Sequence, residues 1–255
     1  MKTSGYSYRK LPAVFVMLLC ALNLSALDES GLIAHFTFDD DTAAELKSTD
    51  GNYVFKPREG GSADFSHVGF VEGVHGKALH LKSGNTVHYC LPPGVLTDLK
   101  PPFTIALWIK RTEDKTEHKH AVFCGTCADP KDYGFEFSWF WYCLTLRWGD
   151  GGKSYAVTTP ARTLFVDKWH HAAAVHDGKI VTLYVDGMAL TAREADAEFV
   201  HVPKDKKFAN RFTLGQFPTS FSAYPHVGLM DDLFLFSRPL SREEIVALAE
   251  GTLSR

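Results

Sequence analysis

Short runs in which apolar and polar residues alternate recur along almost the whole chain, and they constrain its fold more than any other feature. Examples are "FTIALWIKR" (103–111), "KIVTLYVDG" (179–187) and "GLMDDLFLFS" (228–237), and Gly, Pro, Asp and Asn separate the runs. Successive side chains of a strand point to opposite faces, so this pattern is typical of strands with one buried face. We therefore predict an all-β protein built as an antiparallel two-sheet sandwich.

The stretch "WHHAAAVHDGKIVTLYVDG" (169–187) holds three histidines and two aspartates, which raises the question of a metal site. On a strand, His171 shares a face with Trp169, whereas His170 and His176 point to the other face. The "HDGK" segment supplies an Asp-Gly pair, which is a strong signal for a tight hairpin turn. The stretch therefore predicts a β-hairpin whose histidines line the sheet, rather than a three-histidine metal centre.

One helix is predicted, near the C-terminus, over "SREEIVALAEG" (241–251). Ser241 and Glu244 have the spacing of a capping box, and Gly251 stands where a helix ends.

The N-terminus has the order of a secretory signal peptide, with three basic residues before the apolar run 11–24 and small polar residues after it. The run is short for a membrane span, so we predict a signal peptide over 1–26, cleaved near Ala26, and one domain over 27–255. The alternative is a retained anchor. Cleavage predicts a secreted, periplasmic or cell-surface protein with no stable membrane span.

The charge of the predicted mature domain excludes one class of partner. Residues 1–26 contain three basic and no acidic residues, so their removal changes the formal net charge from −3 to −6. An acidic domain lacks the basic surface that nucleic acid requires, and we expect no nucleic-acid partner.

Four cysteines remain after cleavage, an even number in a compartment that permits disulfides: Cys90, Cys124, Cys127 and Cys143. Three complete pairings are open.

A zinc site is an alternative reading of "HKHAVFCGTC", which contains His118, His120, Cys124 and Cys127. One residue separates the histidines, whereas zinc fingers have three to five, so the spacing favours a disulfide over zinc.

Several segments occur in the order of a known family. "GKALHL", "FTIALWIK", the 169–187 hairpin, "RFTLGQ" and "GLMDDLFLFSRPLSREEIVAL" together resemble the laminin-G-like jelly roll of the concanavalin A-like lectin/glucanase superfamily, from about residue 31 to 250. The resemblance implies a jelly-roll sandwich in which the first and last strands pair. Its members include lectins, adhesion modules, carbohydrate-binding domains and glycosidases, so the fold alone does not define the function.

Pairing of "GLIAHFTF" with the "LFLF" strand predicts that two acidic segments meet at one rim. The carboxylates concerned are Asp39, Asp40, Asp41, Asp231 and Asp232. Oxygen ligands suit Ca²⁺, and members of the resembled family often carry a rim calcium. We therefore predict a calcium site from Asp39, Asp41, Asp231 and Asp232, with solvated edge charges as the alternative.

Glycosidases of the resembled superfamily use a Glu-x-Asp-x-Glu strand, and Glu194, Asp196 and Glu198 reproduce that string. Alternate strand residues share a face, which would direct all three into a cleft. The intervening residues are alanines, which are poor strand formers, and a surface connection follows. A solvated acidic loop is favoured, and a glycoside hydrolase that uses Glu194 and Glu198 is the alternative.

The most aromatic segment is "GFEFSWFWYCLTLRW" (134–148), interpreted as one continuous strand. If one of its faces is exposed, Trp139, Trp141 and Trp148 are the predicted glycan-binding platform, since sugar rings stack on flat aromatic faces. The alternative is a central strand covered on both sides.

Together these patterns predict an exported, non-catalytic binding domain for carbohydrate or a cell-surface glycan, with calcium as the candidate cofactor. The alternatives are the glycoside hydrolase and a protein-binding adhesion module.

Overall fold

The computed structural model describes residues 27–97, 99–112, 120–126, 133–195, 211–217 and 224–251. The predicted signal peptide 1–26 lies outside these residues. Within them, every helix is too short or too polar to cross a bilayer.

Sixteen strands form in the described residues, together with a 3₁₀ turn at Phe65–His67 and one α-helix. In chain order the strands are β1 (Leu32–Phe36), β2 (Leu46–Lys47), β3 (Val54–Pro57), β4 (Val68–Glu72), β5 (Lys77–Leu81), β6 (Tyr89–Cys90), β7 (Phe103–Arg111), β8 (His120–Gly125), β9 (Tyr133–Phe140), β10 (Cys143–Asp150), β11 (Ser154–Thr158), β12 (His170–His176), β13 (Ile180–Val185), β14 (Met188–Glu194), β15 (Thr213–Leu214) and β16 (Gly228–Phe236).

The strands form two eight-stranded antiparallel sheets, which confirms the predicted all-β sandwich. The first sheet has the order β14-β13-β12-β7-β16-β5-β4, and β1 also pairs with β16. The second sheet has the order β11-β10-β9-β8-β15-β6-β3-β2. The inner faces of both sheets contribute to one apolar core, which includes Leu107 and Ala172 from the first sheet and Phe137 and Leu146 from the second.

The predicted hairpin is β12 and β13, and its register pairs His176 with Val181. Its turn is stabilised by Asp177, whose Oδ1 accepts hydrogen bonds from the backbone N–H groups of Lys179 and Ile180 at 2.8 and 2.7 Å. Ala172 and Ala174 face the inter-sheet core, whereas His171 lies on the outer face, so the predicted alternation is confirmed.

The aromatic segment 134–148 is a hairpin, so its interpretation as one continuous strand is wrong. β9 ends at Phe140 and β10 begins at Cys143, with Trp141 and Tyr142 as the two turn residues. Both have left-handed backbones, at φ +52° and +64°. Two-residue turns of this kind normally contain Asn or Gly, and the absence of those residues hid the turn from sequence reasoning.

Strand β16 lies near the middle of the first sheet and changes its neighbour along its length. Its first residues pair with β5 and its last residues pair with β1. Its register against β7 shifts between Asp231 and Phe234, and Asp232 has φ +46°. An extra residue of this kind is a β-bulge, and bulges redirect side chains at the place where they occur.

The helix α1 (Arg242–Glu250) has both contacts of the predicted capping box, and Gly251 ends it in the left-handed conformation at φ +63°. Ile245 and Leu248 pack on the outer face of the first sheet, in a cluster with Phe234. The helix therefore covers part of a sheet face that would otherwise meet water.

Cys90, Cys124 and Cys143 are free, buried thiols, and no disulfide joins any of these three. Burial is the main cause that raises the pKa of each thiol. Cys127 lies outside the described residues, so a disulfide that includes it stays a prediction.

Candidate functional site

The bulge in β16 places two acidic side chains beside two histidines, and we call this group (His35, His75, Asp231 and Asp232) the acidic rim. Asp232 lies between the histidines. Its Oδ1 is 2.7 Å from His35 Nε2, and its Oδ2 is 2.6 Å from His75 Nδ1. His35 in turn stacks on Phe234, with 3.8 Å between ring centroids. The two imidazoles thus occupy both oxygens of this carboxylate.

Asp231 is fully buried and binds the turn between β4 and β5. Its Oδ2 accepts hydrogen bonds from the backbone N–H groups of Val74 and His75, at 2.8 and 3.0 Å. Its Oδ1 has no hydrogen-bond partner in the described part of the chain. Burial first, and then the charge of the neighbouring Asp232, raise the pKa of Asp231 to about 7. A Cβ atom at Gly73 would collide with Asp231 Oδ2, so glycine allows this close approach.

The predicted calcium ligands converge only in part. One oxygen each from Asp231 and Asp232 and one nitrogen of His75 lie within 4.8 Å of one another. Asp39 instead accepts a hydrogen bond from the Lys77 backbone N–H at 2.7 Å. The third member of this cluster is therefore His75, which sequence reasoning missed. Its signal was the turn "GVHGK", which precedes a strand adjacent to β16.

Asp41, like Asp39, accepts a hydrogen bond from a nearby backbone N–H group. Its Oδ1 accepts a hydrogen bond from the Lys47 backbone N–H at 2.8 Å. Burial raises the pKa of Asp41 to about 6.

The donor set at the acidic rim mixes nitrogen with oxygen. Calcium prefers oxygen ligands, whereas imidazole suits zinc and other transition metals. An ion here would also compete with the hydrogen bond between His75 and Asp232. The donors thus fit calcium poorly, and the calcium site stays a prediction.

A second polar group lies on the outer face of the second sheet, and we call it the polar row: His120, Glu136, Ser138 and Arg147. Adjacent strands β8, β9 and β10 supply these side chains. His120 Nε2 lies 2.5 Å from Glu136 Oε1, and Ser138 Oγ donates to the same oxygen at 2.7 Å. Arg147 Nη1 is 4.0 Å from it. Three groups thus converge on one carboxylate oxygen.

The other oxygen of this carboxylate, Glu136 Oε2, is buried and has no hydrogen-bond partner among the described residues. Burial by itself would raise the pKa of Glu136, but the hydrogen bond from His120 and the charge of Arg147 outweigh it and hold the pKa below its usual value. Glu136 is therefore an ionised group with one unused acceptor.

Aromatic rings surround the polar row. The His120 ring lies 4.3 Å from the half-exposed ring of Tyr224 and 5.2 Å from that of Phe140. The guanidinium of Arg147 lies 5.0 Å from the centre of the Phe140 ring. Trp141, the next residue after Phe140, is 50% exposed at the tip of the β9–β10 hairpin.

Trp141 is the only residue of the predicted tryptophan platform that lies at the surface. Trp139 and Trp148 are 2% and 1% exposed, because the inner face of β9 and β10 directs both rings into the core. These two rings are therefore closed to a ligand.

Residues 83–246 match the family described as the concanavalin A-like lectin/glucanases superfamily. The chain belongs to this superfamily. No curated protein sequence matches it significantly.

Solved structures share the fold of this superfamily member. Domain 4 of AbnA, an extracellular GH43 arabinanase from Geobacillus stearothermophilus solved in complex with arabinotriose, has a TM-score of 0.61 at 20% identity, covering 86% of this chain and 98% of that domain. The receptor-binding domain of botulinum neurotoxin D (TM-score 0.62, 16% identity) and the binding domain of Paraclostridial Mosquitocidal Protein 1 (0.64, 14%) each align with 88% of this chain and 53% of their own. The chain thus spans about half of these toxin domains.

Of the three acidic residues in the glucanase-like Glu-x-Asp-x-Glu string, only Glu194 lies in the described part of the chain. Glu194 is exposed at the end of β14, the edge strand of the first sheet, where it pairs with Ile180. Asp196 and Glu198 lie outside the described residues. Among the described residues, the buried glutamate is Glu136, which sequence reasoning missed. Its signal was one acidic residue inside the aromatic segment "GFEFSWF".

Two of the four predicted zinc ligands lie on opposite faces of the second sheet. Cys124 belongs to the core, whereas His120 binds Glu136 on the outer face. His118 and Cys127 lie outside the described residues. His120 and Cys124 thus do not converge on one metal ion.

Proposed function

We propose that this chain is a non-catalytic carbohydrate-binding domain and that its glycan binds the outer face of the second sheet beside Trp141. One observation carries the proposal: the half-exposed Trp141 directly follows Phe140, whose ring contacts His120 and Arg147 on a face that holds a buried carboxylate with an unused oxygen. Aromatic rings and a few well-placed polar groups are the usual composition of a small-ligand site.

The chemistry of the polar row suits a sugar. A sugar ring offers a flat C–H face, which stacks on an indole, and hydroxyl groups that both donate and accept hydrogen bonds. Glu136 Oε2 is an acceptor for a hydroxyl, and Arg147 is a donor. A glycan that reaches Glu136 takes the place of the Tyr224 ring, which covers His120.

The backbone at Trp141 supports the same location. A left-handed conformation costs about 1–2 kcal/mol per residue for a side chain larger than glycine, and Trp141 and Tyr142 both adopt it. Strain of this kind concentrates at binding and active sites, where a particular side chain must be presented. The turn has a tryptophan at its tip although the left-handed backbone there is unfavourable for it, which is consistent with a role in binding.

The similar structures agree with a binding role. Domain 4 of the arabinanase was solved with arabinotriose, and the two toxin domains are described as binding domains. Identities of 14–20% support the fold alone, so the ligand of this chain is our proposal.

The test is calorimetric titration of the purified protein with arabinotriose and a panel of neutral oligosaccharides. We expect Trp141→Ala to weaken binding at least tenfold, because the stacking surface is lost. Ile180→Ala, which removes an exposed apolar side chain on the first sheet, is the matched control and should bind normally. Equal affinity in Trp141→Ala would refute the site.

The same oligosaccharides test the alternative of a hydrolase. Release of reducing sugar that Glu194→Gln abolishes would replace the binding role by catalysis. If the protein binds nothing on a glycan array but does bind protein surfaces, the adhesion module is favoured.

We also propose export of this domain. Expression in a secreting host should yield a mature protein that begins at Leu27, as N-terminal sequencing would show. An N-terminus at Met1 on a membrane-bound product would indicate the retained anchor.

Calcium at the acidic rim is a separate proposal. If calcium binds the folded state, millimolar Ca²⁺ should raise the melting temperature. An unchanged melting curve would refute calcium binding at the acidic rim.

A further inference from the structure

A pocket of about 420 Å³ lies on the other side of the sandwich, between α1 and the first sheet. Its walls include the indoles of Trp108 and Trp169, the exposed thioether of Met188 and the helix residues Val246 and Ala249. Small-molecule sites generally enclose roughly 300–1,000 Å³, and this volume suits one or two sugar rings. None of these residues belongs to the polar row or the acidic rim.

Trp108 forms part of the wall and carries an unused donor. Its Nε1 is buried and has no hydrogen-bond partner within the residues described. The rings of His171 and His75 lie edge-on to it, at 5.4 and 6.3 Å between centroids. A buried N–H without an acceptor is unfavourable, because it has lost its water and gained nothing in return. A ligand oxygen that reached Nε1 would satisfy it, which requires the wall to open, because this atom is closed to water.

The turn at Asp186 and Gly187 forms another part of the wall. Asp186 Oδ1 accepts a hydrogen bond from the His171 backbone N–H, and its Oδ2 lies against His170 Nδ1, both at 3.0 Å. A Cβ at Gly187, which has φ +78°, would lie in ordinary van der Waals contact with Val246 Cγ2, at 3.5 Å. The two hydrogen bonds anchor this turn to β12.

The charges around the pocket balance. Lys168 and Arg242 contribute two positive groups, and Asp186 and Glu250 contribute two negative groups. In the described residues, neither Lys168 nor Arg242 lies in an ion pair. A lining with donors, acceptors and no net charge disfavours a charged ligand but offers hydrogen bonds to neutral hydroxyls.

We infer that this pocket is a second carbohydrate site, which takes one or two rings of a neutral glycan on Trp169 and donates a hydrogen bond from Trp108 Nε1. The inference deepens the proposed function and rests on it for the class of ligand. Two sites on opposite faces make the domain bivalent. Attachment to a polysaccharide surface through both sites should be stronger than through either alone.

The test uses the full chain and the neutral oligosaccharide panel, with arabinotriose as the first probe. Calorimetry should give two sites per chain in the wild type and one in Trp169→Ala. The remaining site should be the one that Trp141→Ala weakens. Phe165→Ala, which removes an exposed aromatic ring outside the pocket wall, is the matched control and should retain two sites.

The outcomes separate this inference from the proposed function. Binding lost in Trp169→Ala and unchanged in Trp141→Ala would refute the proposed site and support the pocket. One site in the wild type, unaffected by Trp169→Ala, would refute the pocket alone. If Trp169→Ala fails to fold, Arg242→Ala on the exposed helix surface should weaken the second site at least fivefold, and unchanged affinity there would refute the inference.

Discussion

The outer faces of the two sheets are covered in different ways. On the first sheet, Ala173 and Phe234 lie under the apolar side of α1, which contributes Ile245 and Leu248. On the second sheet, the corresponding face carries the polar row. Burial of apolar groups is favourable by itself, whereas a buried carboxylate is tolerated only when partners satisfy it. The comparison shows that α1 covers part of one outer face with apolar side chains, whereas the other outer face holds a buried carboxylate among polar partners.

The largest expected change in the free energy of unfolding comes from the polar row on the second sheet. Removal of one partner from a buried ion pair typically costs about 3–5 kcal/mol, because the other charge remains buried. We expect His120→Leu to lower the free energy of unfolding by this amount, measured by urea denaturation. Glu136→Leu in the same chain should recover most of the loss. A small effect of the single change would show that the polar row is accessible to water.

The second-largest expected change in the free energy of unfolding comes from the apolar contact between α1 and the first sheet. Ile245→Ala should lower the free energy of unfolding by about 2–4 kcal/mol, since it leaves a cavity under α1. Val246→Ala, at a half-buried position on the same helix, is the matched control and should cost less. Equal losses at the two positions would mean that α1 does not act as the apolar cover.

A buried histidine beside the second sheet provides a pH test. Burial lowers the pKa of His226 to about 3, and its Nε2 lies 3.2 Å from the Leu229 carbonyl oxygen. The unfolded chain therefore binds a proton below about pH 6.5 that the folded chain does not, and stability falls as the pH falls from 6.5 towards 3. The loss at pH 5 should be about 2 kcal/mol.

His226→Gln should reduce this dependence, as denaturation at pH 7 and pH 5 would measure. An identical loss between the two pH values in the variant and the wild type would assign the acid sensitivity to other groups.

The smallest effect concerns the turn that carries Trp141. Trp141→Asn together with Tyr142→Gly should raise the free energy of unfolding by about 1–2 kcal/mol, because Asn and Gly adopt left-handed backbones readily. Glycan binding at the polar row should be lost in the same variant. A destabilised double variant would show that contacts of the two aromatic rings outweigh the backbone strain.

Sequence reasoning was successful where the signal was local. Alternation placed Ala172 and His171 on opposite faces of β12, and the Asp-Gly pair marked the β12–β13 turn. The Ser241 cap located α1. It was unsuccessful at Trp141–Tyr142, because the tertiary structure imposes a turn that the two residues do not favour by themselves.

The sequence by itself determined most of the strands, the β12–β13 hairpin and the capped helix, since residues within a few positions of one another decide periodicity, turns and caps. Only the tertiary structure decided which polar side chains meet. His35 and His75 stand 197 and 157 residues from Asp232, and the bulge in β16 brings the three together. Tertiary structure also decided the burial of Glu136, because strand pairing places β8 beside β9. It likewise formed the pocket beside Trp108, because α1 packs on a sheet that no local sequence pattern relates to it.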